Sequence, residues 1–326
     1  MFEFLINKLK AHPRRIVFTE GTDARILEAA ARLLSGNFLT PVLVGNPEEV
    51  MAAAEKAGFN IRGAEIIDPA NFDDMDKMVD EMVTLRKGKM TADECRVTLL
   101  LANYFGTMLV KMGYADALLG GATYSTADTV RPALQLVKTK PQNKIVSSCF
   151  IMVRPSATGD NEVLAMGDCA INIKPNEDEL VEIALETAKT AKTFGIDPKV
   201  AFRSYSTKGS GKGEDVDKVR NACAKAKQLA PELALDGEMQ FDAAVSPHVG
   251  QLKFPGSPVA GHANTFIFPD INAGNIGYKI AQRLGNFDAY GPILQGLNAP
   301  INDLSRGCNA LEVYSMAIIT AALCED

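Results

Sequence analysis

The sequence predicts an α/β protein, and three observations carry that reading. Short β-branched runs alternate with longer stretches of helical periodicity, the pattern of βαβ units around a parallel sheet. Several of the apolar runs end in glycine or a polar cluster, where a strand would turn. The length, 326 residues, suits two domains at roughly 100–200 residues each.

In order, Arg15–Phe18 reads as a strand and Asp23–Leu34 as a helix with Ile26, Leu27, Ala30 and Leu33 on one face. Pro41–Gly45 is a second strand, Met51–Ala57 a short helix and Ala64–Asp68 a third strand. Asp73–Arg86 is an acidic helix whose Met75, Met78, Met82 and Leu85 form a core stripe. Ala115–Ala122 is a buried strand ending in two glycines, and Asn143–Arg154 is another apolar run. Glu162–Asp168 and Cys169–Ile173 are expected to continue that run as an antiparallel meander. Asp178–Thr193 and Val216–Leu229 are helical, Val200–Ser206 and Thr265–Pro269 are strands, and a last helix runs from about Asn309 to Leu323.

Hydrophobic residues make up 47 % and charged residues 23 %, the balance of a soluble globular enzyme. With no Trp and 7 % aromatics, the core must be aliphatic. The net charge of −6 argues against a general nucleic-acid binder but leaves room for local cationic sites. The apolar run at the start, in MFEFLINKLKAHPRR, is too short and too charged for a signal segment, and no long apolar span occurs, so a cytoplasmic location is expected. Cys95, Cys149, Cys169, Cys223, Cys308 and Cys324 contain no CxxC pair, and His12, His248 and His262 no HExxH pattern. Neither a disulfide framework nor a metal site is expected.

The most informative stretch is GLNAPINDLSRGCNALE, residues 296–312, which sets Asn, Asp, Ser, Arg and Cys before the apolar run VYSMAIITAAL. A helix N-terminus there favours an anion, and the planar fork of Arg306 matches phosphate oxygens. Ser305 adds a hydroxyl. Glu312 lies seven residues after Ser305 and would face the loop if the helix began near Cys308. An ordinary N-cap with a surface arginine and a buried cysteine explains the same pattern on local physics alone. A second candidate is Gly120–Arg131, GGATYSTADTVR, which follows a strand, opens a helix and offers hydroxyls and an arginine. A tight turn with a capped helix fits it equally well. The run STKGSGKG, Ser206–Gly213, is neither a Walker A loop nor GxGxxG and is expected to be a mobile loop.

Read together, EGTDARIL, STADTVRPALQ, SYSTKGSGKGEDVDKV, DGEMQFDAA, FPGSPVAGHANTFIFPDINAGNIGYKIAQRLG, GPILQGLNAPINDLSRG and PINDLSRGCNALEVY resemble segments of the phosphate acetyltransferase family over nearly the whole chain. The resemblance implies two three-layer α/β domains of the isocitrate/isopropylmalate dehydrogenase type with a cleft between them. The first would comprise 1–141 plus 297–326 and the second 142–296. It implies a homodimer, and acetyl transfer between acetyl phosphate and coenzyme A, which is a substrate rather than a cofactor. Ser305, Arg306 and Glu312 fall on the family's catalytic positions, and Arg86 and Arg131 on its substrate-binding arginines. Ser125 and Thr129 are expected beside Arg131 at the substrate, and Cys308 is also expected to line it. The family pattern usually carries Asp where this chain has Glu312.

On that basis Glu312 takes the thiol proton, Arg306 holds the phosphate and Ser305 donates to the substrate or the oxyanion. Cys308 could instead act as a nucleophile in a ping-pong reaction, but no histidine base is apparent beside it, so direct transfer in a ternary complex is expected. The competing readings are a phosphate butyryltransferase-like activity, a dehydrogenase of the same fold, and a non-catalytic module that binds acetyl-coenzyme A.

Overall fold

The computed structural model describes residues 2–156, 159 and 161–324, and the chain divides into two units. One joins Phe2–Lys140 to the segment from Leu297 onward; the other is Pro141–Gly296. The first segment runs α1 (Phe2–Ala11), β1 (Arg14–Phe18), α2 (Ala24–Gly36), β2 (Leu39–Val44), α3 (Pro47–Ala57), β3 (Glu65–Ile67), α4 (Met75–Arg86), α5 (Ala92–Leu99), α6 (Ala102–Lys111), β4 (Ala117–Gly120) and α7 (Thr126–Pro132). The inserted unit runs β5 (Ser147–Pro155), β6 (Asn161–Gly167), α8 (Glu177–Thr193), β7 (Lys199–Arg203), α9 (Glu214–Leu229), β8 (Ala234–Met239), α10 (Phe241–Val245), α11 (Pro247–Lys253), β9 (Thr265–Ile267), α12 (Ile271–Leu284) and β10 (Asp288–Gln295). The chain then adds β11 (Ile301–Asp303) and α13 (Ala310–Ala322) to the first unit.

The first unit's sheet has the order β11-β4-β1-β2-β3 and every pair is parallel. Ile16, Val17 and Phe18 of β1 are fully buried, as befits a parallel strand covered on both faces. Side chains alternate along a strand, so the two faces can be told apart. Gly106 of α6 lies against Val17, Thr19 and Leu118; a Cβ there would sit 3.0 Å from each of those side chains. That face belongs to α6. Ile16 and Phe18 point the other way, and α13, which also contacts β1 and β4, lies on that side. The apolar face of α2, with Ile26, Leu27, Ala30 and Leu33 buried, packs against α13, and Asp23 caps it by accepting from the Arg25 amide.

The inserted unit's sheet has the order β10-β5-β6-β9-β7-β8. Its β6, β9, β7 and β8 are parallel, while β5 runs antiparallel to both β10 and β6. Val200 and Phe202 of β7 share a core cluster with Leu180, Ile183, Val219 and Cys223 of α8 and α9. Ala201, between them, belongs to the opposite cluster with Phe150, Met239 and Phe266. Each unit is thus a sheet with helices on both faces. The expected meander is corrected at one point. Cys169–Ile173 is not a strand, because the Asp168 carboxylate accepts the amides of Ala170, Ile171 and Asn172 at 3.0, 3.2 and 3.0 Å and folds the chain into a turn. The second antiparallel partner of β5 is β10. The STKGSGKG run, expected to be mobile, is cross-linked: buried Glu238 accepts from the Ser206 hydroxyl at 2.9 Å and the Gly209 amide at 2.7 Å. No helix among the described residues is long and apolar enough to cross a membrane.

Phe18 is among the largest fully buried side chains and sits on the central strand of the first unit. Phe18→Ala should destabilise that unit by about 3–5 kcal/mol, read as a lower denaturant midpoint at unchanged slope.

Candidate active site

Three parallel strands of the first unit, β1, β4 and β11, end side by side, and ligands of open α/β sheets bind beyond such ends. Asp303, the last residue of β11, pairs in register with Gly120, the last of β4, and the Leu304 amide donates to the Gly120 carbonyl at 2.7 Å. The backbones run so close here that a Cβ on Gly121, at φ +95°, would lie 2.2 Å from Asp303 Oδ1. Only glycine meets both the conformation and the space.

Asp303 is buried, and both carboxylate oxygens are taken by α7: Thr126 Oγ1 donates to Oδ2 at 2.5 Å and Thr129 Oγ1 to Oδ1 at 2.6 Å. Burial pushes its carboxyl up, against the two hydroxyls and the charge of Arg306, which pull it down. Glu20, just past β1, accepts from the amides of Gly121 and Thr123 at 3.1 and 3.2 Å and from the Thr19 hydroxyl at 2.7 Å. Burial raises its carboxyl too, the hydrogen bonds opposing. With the Thr19 proton given to Glu20, Tyr124 OH donates to Thr19 Oγ1 at 2.7 Å. Burial, with the Glu20 charge adding to it, drives the Tyr124 phenol well above its usual range.

The Ser305–Asn309 loop rests on this platform. Ser305, Arg306 and Gly307 are exposed and Cys308 is buried. The Gly307 amide donates to Ser305 Oγ at 3.3 Å, which leaves the serine's own proton to give. Arg25, in the first turn of α2, reaches beneath the loop to the carbonyls of Arg306 and Cys308. Burial raises the Cys308 thiol, and Arg25 only partly opposes it.

The structure brings Ser305, Arg306, Cys308, Thr129 and Ser125 to one set of strand ends, but changes three expectations. The last helix does not begin near Cys308, so Glu312 does not face the loop from a second turn. The helix begins at Ala310, and Glu312 closes a capping box in its first turn, Asn309 N donating to Glu312 Oε2 at 2.8 Å and Glu312 N to Asn309 Oδ1 at 3.0 Å. Thr129 is turned into Asp303. Ser125 donates to Asp128 Oδ2 at 2.7 Å, and Arg131, its side chain 57 % exposed, lies 3.4 Å from Asp128 Oδ1. Arg86 lies in the last turn of α4, its Nε buried with no hydrogen-bond partner. Sequence reasoning gave no individual role to Thr19, Glu20, Arg25, Tyr124, Thr126 and Asp303. EGTDARIL and PINDLSRG contain three of them, Glu20, Arg25 and Asp303, but nothing local says that Glu20 serves the Gly121 turn or that Asp303 anchors α7. No group of three or more His, Cys, Asp or Glu among the described residues is placed to hold a metal ion.

Because the folded Glu20 carboxyl is raised above 4.5, the folded state keeps a proton that the unfolded chain releases, so ionising Glu20 costs stability as pH rises through that interval. Glu20→Gln cannot titrate. Its melting temperature should gain on the wild type as pH climbs from 4.5 and hold a constant offset once Glu20 is ionised in both states. A constant difference across the whole range would contradict the burial argument.

Residues 1–321 match the family model described as phosphate acetyl/butaryl transferase. The chain is 52 % identical over 322 residues to the phosphate acetyltransferase of Bacillus subtilis (strain 168), covering 99 % of this chain and 98 % of that one. It superposes on a phosphotransacetylase from Streptococcus pyogenes with a TM-score of 0.95 at 55 % identity, covering 99 % and 97 % of the two chains. A structure assigned as a 4-hydroxythreonine-4-phosphate dehydrogenase from Salmonella typhimurium, at a TM-score of 0.53 and 13 % identity over 95 % and 99 % of the chains, shares the fold alone. With a family model spanning nearly its full length and relatives at half identity or better, the chain belongs to the phosphate acetyltransferase family.

Proposed function

We propose that the protein moves an acetyl group reversibly between phosphate and the thiol of coenzyme A, by direct thiolate attack in a ternary complex and with no metal or other cofactor. The observation that carries the reading is the seating of Ser305 and Arg306, exposed and backed by Asp303 and Arg25, at the ends of β1, β4 and β11. The Arg306 fork holds the phosphoryl oxygens, and Ser305 donates to the acetyl carbonyl oxygen as negative charge gathers there. Glu312 takes the thiol proton, since a free thiol with a pKa of about 8.5 is mostly unionised at neutral pH. The C–S bond forms, the C–O bond to phosphorus breaks, and the electron pair leaves on phosphate.

Arg131 and Arg86 bind phosphate groups of coenzyme A, with Ser125 beside Arg131. The partnerless Nε of Arg86 supports this, because an anion would satisfy a buried donor that otherwise costs about 1–3 kcal/mol. Thr129 acts by holding Asp303. Cys308 packs: a thiol raised by burial is a poor thiolate source. The six unpaired cysteines support a cytoplasmic location.

The test is thioester absorbance from acetyl phosphate and coenzyme A in the presence of chelator. Arg306→Ala should lose more activity than Arg306→Lys, which keeps a point charge without the fork. Glu312→Gln keeps the capping box, since glutamine also serves there, and removes the basicity. Its kcat should fall about 10²–10⁴-fold at neutral pH and recover toward wild type as pH rises and thiolate forms unaided. A folded Glu312→Gln with wild-type kcat removes Glu312 from the mechanism.

A homodimer is also proposed. Ile276, Ile280 and Leu284, 58 %, 54 % and 80 % exposed, recur every four residues along one face of α12. Ile280→Glu should shift the mass measured by light scattering from dimer to monomer.

A further inference from the structure

Arg25 joins three loops of the site. Its Nε and Nη2 grip Asp23 Oδ1 and Oδ2 at 3.0 and 2.8 Å. Nη2 also donates to the Ala122 carbonyl at 2.9 Å, in the turn after β4. Nη1 donates to the carbonyls of Arg306 and Cys308 at 2.8 and 3.1 Å, and lies 3.7 Å from Cys308 Sγ. A guanidinium presents its donors in a rigid planar fork, so these acceptors are fixed relative to one another and not merely attracted. The carbonyls it holds flank Gly307. A Cβ on Gly307 would meet nothing nearer than Ser305 Oγ at 3.8 Å, so nothing packs against Gly307 itself, while the Arg25 bonds hold the carbonyls on either side of it. Asp23 in turn is both N-cap of α2 and partner of the fork. Burial pushes its carboxyl up, but the bonds and charge of Arg25 outweigh that and keep it below its ordinary value, ionised and able to orient Arg25 at neutral pH.

We propose that Arg25, held by Asp23, is a positioning residue for the acyl transfer: it clamps the backbone on both sides of Gly307 so that Arg306 meets the phosphoryl group and Ser305 the acetyl carbonyl in one geometry. The inference rests on Arg306 being the phosphate anchor and Ser305 the oxyanion donor. A displaced anchor weakens binding and misaligns attack together, and a shift of about 1 Å can cost on the order of 10²-fold in rate.

The experiment compares Arg25→Ala, Arg25→Lys and Arg306→Ala in steady-state kinetics and in alkylation of Cys308 by iodoacetamide, read by peptide mass spectrometry. For Arg25→Ala, kcat/KM for acetyl phosphate should fall about 10²-fold, through both lower kcat and higher KM, while KM for coenzyme A stays within about threefold. Arg25→Lys keeps the charge but not the fork and should lose about tenfold. Cys308 should alkylate faster in both variants, because the clamp over its carbonyl and sulfur is gone. Should Arg25→Ala fail to fold, Arg25→Lys carries the same measurements. A folded Arg25 variant with wild-type kinetics and alkylation, beside an inactive Arg306→Ala, overturns this inference alone. Equal rises in KM for both substrates, tracking lost thermal stability, would make Arg25 purely structural and overturn it as well. Wild-type activity in Arg306→Ala would instead overturn the phosphate-anchor reading beneath it.

Discussion

The pairing of β11 with β4 is the constraint on which the site depends. It is a contact of three residues in register, yet it carries the Ser305 loop to the ends of β4 and β1 after the whole of Pro141–Gly296 has intervened in sequence. Parallel strands share a polarity, so joining β11 to this edge puts its carboxyl end, and therefore Asp303–Arg306, level with the turns that follow β4 and β1. An antiparallel edge would have sent the same loop to the opposite end of the sheet. The closeness that this register demands falls on Gly121, where a side chain would overlap Asp303.

The electrostatics follow from which charges are already satisfied. Half-buried Glu20 and buried Asp303 are carboxylates whose hydrogen bonds come from amides and hydroxyls rather than from cations. Such donors supply the hydrogen bonds that burial would otherwise remove, each loss costing about 1–3 kcal/mol, without consuming an arginine. The one arginine inside the network, Arg25, is matched by Asp23. Arg306 is therefore left outside these pairings, with its backbone anchored and its side chain exposed. A protein of net charge −6 can in this way present a local cation to an anionic substrate.

Much of the fold was legible because it depends on local pattern. The β1 and β2 runs, the amphipathic α2 and the methionine face of α4 follow from side-chain period alone. What escaped was short or long-range. β11 has three residues, two of them polar, and its strand character comes from lying beside β4. β10 is interrupted by Gly291 and Pro292, at which its register with β5 shifts. Within the site, Ser305, Arg306 and the Gly120–Arg131 turn could be read from composition and resemblance. Arg25 could not, because its partners lie 97, 281 and 283 residues away. One local signal was present and overlooked: Asn309-Ala310-Leu311-Glu312 has the spacing of a capping box and fixes the start of the last helix two residues later than Cys308.

That cap also bears on Glu312, where the resemblance implies an Asp in the family pattern. An exposed glutamate on a helix is ordinarily free to sample several rotamers, and the extra methylene would blur the position of a base. Here Oε2 is tied to the Asn309 amide, and Asn309 is itself tied back by the Glu312 amide. A carboxylate offers two oxygens with about four lone-pair sites, so the cap leaves capacity for a proton. Under the proposed mechanism the added reach is spent on the bond back to Asn309. The carboxylate is then placed by the end of the helix rather than by a freely rotating side chain, and the helix end is placed by the same Asn309–Cys308 segment that Arg25 holds. Under the proposed mechanism base, phosphate anchor and oxyanion donor thus hang from one stretch of backbone, so a longer acid would be tolerable there in a way it would not be on an unpinned helix face.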